Sequence, residues 1–149
     1  MLRHQRLRPI LDITQAQQDL AARELARLMQ QQEAARRQLE QLLGYLTEYE
    51  QRQTGQTTML NLPLLENTQA FLVKLNDAID QQREKLTQIE RRVRQQIEHW
   101  QQIKTRTDAL EKIIQNYQLA DRTARERRDQ REQDDLVGGG RGSGDTPSS

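Results

Sequence analysis

Cysteine is absent from this 149-residue chain, which excludes disulfides and thiolate metal sites and leaves the redox compartment open. Aromatic side chains are scarce: one Trp, three Tyr and one Phe. No apolar run approaches the roughly 18 residues that a membrane-spanning helix needs. The opening "MLRHQRLRPILDIT" is basic but lacks the apolar stretch of about 7–15 residues that marks a secretory signal. These absences point to a cytoplasmic chain. A charge of one sign is missing as well. Lys and Arg number 23 against 22 Asp and Glu, a net charge of +1, so the overall balance favours neither nucleic acid nor an acidic substrate.

Apolar residues make up 34% of the chain and charged residues 30%, too little apolar surface for a core several layers deep. Helix formers are abundant instead. There are 24 glutamines, accompanied by Arg, Glu, Leu and Ala. From Leu7 a heptad seam runs through Leu11, Thr14, Gln18, Ala21, Leu25, Leu28, Gln32, Ala35, Leu39, Leu42, Leu46 and Tyr49. A second runs from Leu65 through Thr68, Leu72, Leu75, Ile79, Gln82, Leu86, Ile89, Val93, Gln96, Trp100, Ile103, Thr107, Leu110, Ile114 and Tyr117. Between them lies "TGQTTMLNLP". Gly55 suits a helix C-terminus, Thr58 or Asn61 can cap the next helix, and Pro63 fits only a first turn.

A short break between two long helices predicts an all-α fold, an antiparallel coiled-coil hairpin. The expected layout is one domain over 1–136: a helix over about 5–53, a turn over about 54–61 and a helix over about 62–135. A disordered Gly/Ser-rich tail over 137–149 follows. The polar seam residues suggest a register in which Gln18 faces Gln96 and Gln32 faces Gln82. Leu11 then meets Ile103 and Leu39 meets Leu75. Slipping by one heptad would strand each amide against an aliphatic side chain, at about 1–3 kcal/mol apiece. Beyond Ala120, "DRTARERRDQREQDD" has almost no apolar face, and only weak side-chain pairs support it as helix.

Catalysis finds little to work with. Acids and bases line exposed helix faces, with no dry pocket to shift their pKa values. His4 and His99 are too far apart to share a metal, and no cofactor motif occurs; the Gly-rich tail lacks the Gly-Lys-Ser/Thr of a phosphate loop. The runs "ERRVR" and "RERRDQRE" interleave acids with arginines, which cancels phosphate attraction and reads as solvated helix face. The expectation is a non-enzymatic protein with no small-molecule substrate and no nucleic acid.

The aromatics remain to be explained. Tyr49 belongs to the seam, whereas Tyr45 and Phe71 each precede a seam position. Gln38, Leu42, Tyr45 and Tyr49 form one stripe, and Phe71, Leu75, Ala78 and Gln82 form another, both at steps of four, three and four. Widening of the coiled-coil contact accounts for Leu42, Tyr49 and Leu75. It accounts less well for Tyr45 and Phe71, which suit a protein-docking patch better.

The order and spacing of "LRPILDI", "LLGYLTEY", "FLVKLNDAIDQQ", "HWQQIKTRTDALEKI" and "RRDQREQDDL" resemble the flagellar export protein FliJ family over residues 1–136. The resemblance implies a hairpin similar to a rotary-ATPase stalk, working in the flagellar type III export apparatus. Implied partners are the export ATPase and its regulator, the export gate protein FlhA and export chaperones. Implied too is a place at the inner face of the cell membrane, held peripherally through the gate. It places gate binding on Gln38, Leu42, Tyr45, Tyr49, Phe71, Leu75, Ala78 and Gln82, and the ATPase at the end that carries the chain termini. The Gly-rich tail departs from the family pattern. Other readings of the same residues are the stalk of a virulence injectisome, a generic coiled-coil scaffold or a nucleic-acid binder.

Overall fold

The computed structural model describes residues 2–55 and 62–142, with side-chain surroundings over 2–53 and 66–138. Every described residue except Leu2 is helical. Helix α1 spans Arg3–Gly55 and helix α2 spans Leu62–Gly142. Of the expected turn at about 54–61, residues 54 and 55 belong to α1; 56–61 and the last seven residues of the expected tail lie outside the described residues.

The entry to α1 is capped locally. Gln5 and Arg6 donate their backbone N–H groups to the Leu2 carbonyl, and the Gln5 side chain accepts from the Leu2 N–H at 3.3 Å. This is the returning half of a capping box, which satisfies N–H groups that a helix start leaves without partners. Pro9 lies inside α1, where it removes one ladder hydrogen bond. Pro63 is the second residue of α2, where the missing N–H is of no consequence. At its other end α2 runs past the expected stop near Asp135 to Gly142. Once a helix exists, each added residue gains a hydrogen bond without a new nucleation cost, which lets the ladder continue even into the Gly-rich stretch 136–142.

Two units divide the chain, and each is an antiparallel pair of helix segments. In the unit formed by 18–102, Ala21 pairs with Gln96, Ala35 with Gln82 and Tyr49 with Phe71, so α2 numbers fall as α1 numbers rise. Its core is one layer thick: Leu28, Ala35, Ile89 and Val93 are buried, with Leu25, Leu86 and Ile97 packed against them. All but Ile97 are seam positions. In the unit formed by 1–17 and 103–149, Leu11, Thr14, Ile103, Thr107 and Ile114 are buried. Both seam threonines turn their hydroxyls back on their own helices, Thr14 to the Leu11 carbonyl and Thr107 to the Ile103 carbonyl. Neither therefore needs a polar partner across the seam.

The amide pairs anticipated from the sequence do not form. Gln82 Nε2 donates to the Ala35 carbonyl at 2.9 Å and to Gln38 Oε1 at 3.1 Å, not to Gln32. Gln96 Nε2 donates to the Ala21 carbonyl at 3.0 Å, not to Gln18. Both contacts fall three residues further along α1 than anticipated, and the cause is geometric. Helical side chains lean toward their own N-terminus. In an antiparallel pair that lean carries an α2 side chain toward higher α1 numbers. The residues met there, Ala21 and Ala35, are buried and small enough to let an amide reach the backbone.

Candidate partner-docking face

The eight stripe residues all fall within the 18–102 unit. Heptad spacing puts Gln38, Leu42, Tyr45 and Tyr49 along one side of α1. The same spacing puts Phe71, Leu75, Ala78 and Gln82 along α2. The structure joins the stripes at both ends. At one end Gln82 bonds Gln38; at the other the Tyr49 and Phe71 rings lie with centroids 4.9 Å apart, tilted by 38°. The two stripes are therefore one face across the helix pair.

Their burial sorts them into a floor and projections. Leu75 is 6% exposed and belongs to the core, while Leu42, Tyr49, Ala78 and Gln82 are half-buried. Tyr45 is 54% exposed and Phe71 46%, and Gln38 is exposed. An aromatic ring half in water loses part of its burial free energy, and both rings stand one residue before a seam position. Phe71 does have a structural tie, since its ring rests on Tyr49. Tyr45 makes no ring contact among the described residues.

No group of three or more His, Cys, Asp or Glu side chains is gathered for a metal among the described residues. His4 instead meets Asp121, with Nδ1 and Oδ2 at 3.0 Å, a pairing that no spacing in the chain signals. None of the described helices is long and apolar enough to cross a membrane.

No curated protein and no solved structure matches the chain significantly. The model of the family described as "Flagellar FliJ protein" matches residues 3–138, which takes in both seams, the aromatic face and nearly all of α2. The chain belongs to the flagellar FliJ family, whose members are components of the flagellar export apparatus.

Proposed function

We propose that the protein is a non-enzymatic coupling component of flagellar type III export that docks on the membrane export gate through its Tyr45–Phe71 face. It also engages the export ATPase and its regulator, and it assists export chaperones. Its place is cytoplasmic, held at the inner face of the membrane only through the gate. The observation that carries this reading is the pair of exposed rings, Tyr45 and Phe71, on a face closed by the Tyr49–Phe71 and Gln38–Gln82 contacts. Large aromatics raised on a packed floor are the usual anchors of protein interfaces, and truncating one commonly costs about 2 kcal/mol or more of binding.

The test is direct binding of the full-length protein to the cytosolic part of the gate and, separately, to the export ATPase. Tyr45→Ala with Phe71→Ala should weaken gate binding by about 30-fold or more, the equivalent of one such anchor. ATPase binding should be unchanged. Cells carrying the double variant should make normal amounts of the protein and swim poorly. Full gate binding by a folded double variant would sink the docking reading.

A further inference from the structure

The docking stripes do not stop at Gln38 and Gln82. Continuing the same steps of three and four along α1 leads from Gln38 to Ala34, Ala35 and Gln31. Along α2 it leads from Gln82 to Lys85, Ile89 and Arg92. These residues, with Gln88, line an open groove of about 440 Å³. Gln38 belongs to both the aromatic face and the groove, so the two are continuous.

The groove has a distinct chemistry. Its floor is Ala34, Ala35 and the buried Ile89, where the short alanine side chains leave a recess along the outer side of the helix pair. Its walls carry amides and two cations, Lys85 and Arg92, one on each side of Ile89 in the chain. No acid lines it. Among the described residues neither cation forms an ion pair, as is true of most Lys and Arg side chains there; Arg27, Arg36, Arg37 and Lys104 are each paired with an acid on their own helix. Glu84, one turn before Gln88, accepts from that amide at 3.5 Å rather than from either cation.

We infer that the partner segment seated on the aromatic face continues past Gln82 into this groove and is acidic there. Small or aliphatic side chains of the segment rest on Ala34, Ala35 and Ile89, and its carboxylates meet Lys85 and Arg92. Phe71 and Lys85 are 14 residues apart on one helix, or roughly 21 Å at 1.5 Å per residue. The segment therefore carries its acidic residues about 20–30 Å from the apolar residues that cover the aromatic rings. This inference rests on the docking reading and adds the character of the partner's second half.

The experiment measures binding of the gate's cytosolic part to the full-length protein over a salt series. It compares wild type, Lys85→Glu/Arg92→Glu, Lys85→Arg/Arg92→Lys and Tyr45→Ala/Phe71→Ala. The substituted cations are exposed, so folding should be intact, with circular dichroism as the check. The charge-reversed variant should bind about tenfold or more weakly at low salt and lose most of its salt dependence, because rim charges act through screened attraction. The charge-conserving variant should bind like wild type. The aromatic variant should bind weakly yet keep the salt dependence. Wild-type affinity and salt response in the charge-reversed variant would overturn the inference, while a loss confined to the aromatic variant would leave the docking reading standing. No loss in either variant would remove both. If a short DNA duplex needs Lys85 and Arg92 while the gate does not, the groove is a phosphate site and the inference is overturned.

Discussion

Phe71 rests its ring on Tyr49, with centroids 4.9 Å apart and planes inclined by 38°, so a seam residue and a surface residue share one contact across the helix pair. This gives Phe71 two roles where Tyr45 has one. Its ring props the edge of the seam while nearly half of it faces outward.

The two aromatics should therefore differ in what they contribute to stability. Phe71→Ala should destabilise by about 0.5–1.5 kcal/mol, the usual worth of an aromatic pair beyond its area. Tyr45→Ala should stay within about 0.5 kcal/mol, as for other exposed positions. Urea unfolding of both variants, together with a Tyr49→Leu/Phe71→Ala cycle, measures this. No coupling between positions 49 and 71 would mean that the rings are neighbours without energetic consequence.

Ala35 is 3% exposed and its carbonyl accepts from Gln82, so the helices approach closely at this layer. Ala35→Leu should force them apart and cost about 1–3 kcal/mol, as overpacking does. The neighbouring Ala34 is exposed, so Ala34→Leu should change stability little. Gln82→Leu and Gln38→Ala should prove coupled, because the two amides share a hydrogen bond, whereas Gln82→Leu and Gln32→Leu should add independently. Equal costs for the two alanine substitutions would refute the close approach.

Nearly all of the packing was legible in the chain. Each of the 29 seam residues assigned from periodicity, apart from Leu65 (whose side chain lies outside the described residues), is buried or half-buried. Heptad spacing is the direct imprint of one helix facing another, so it survives without any structure. The polar contacts were less legible. Pairing Gln32 with Gln82 treated residues as points on an axis, and the N-terminal lean of helical side chains moved the contact to Ala35. His4 with Asp121 left no signal, because one polar side chain on each helix has no period to reveal it. Pro9 was silent too, since the apolar rhythm runs through it unbroken. As for the aromatic face, spacing exposed its two stripes, but only the structure showed the Gln38–Gln82 and Tyr49–Phe71 contacts that join them.

Arg27 and Glu24 form an exposed pair one turn apart, with Nε donating to Oε2 at 2.9 Å. That hydrogen bond holds the Glu24 carboxyl below its ordinary value; desolvation opposes it, and the charge of Arg27 adds the smallest contribution, a further lowering. The same contact raises the Arg27 guanidinium. A carboxyl depressed in the folded state stabilises fully above its ordinary pKa, and the contribution is lost as pH falls through the depressed value. Both groups are exposed, so the effect on stability is small and is better read from the carboxyl itself. A carbon-detected titration should show Glu24 protonating at lower pH than its exposed peers, and Arg27→Gln should return it to their range. An unchanged titration in Arg27→Gln would remove the hydrogen bond as the cause.

The start of α1 is held to α2 by polar and cation–aromatic contacts where the apolar layer thins. Among the described residues Ile114 is the last buried one of α2, and beyond it Tyr117 and Asp121 are half-buried. The Arg3 guanidinium lies 4.5 Å from the centre of the Tyr117 ring, and His4 meets Asp121 at 3.0 Å. A cation over an exposed ring contributes about 0.5–1 kcal/mol, enough to matter for a helix start that is open to fraying. Tyr117→Leu keeps an apolar side chain on the seam and removes the ring, and Asp121→Asn removes the charge beside His4. Together they should speed amide exchange over residues 6–10 several-fold, while amides near Leu28, Ala35 and Ile89 keep their protection. Circular dichroism at room temperature should barely change, because only the first turns are released. Wild-type exchange over residues 6–10 in the double variant would show that Leu7 and Leu11 hold the helix start without help from these contacts.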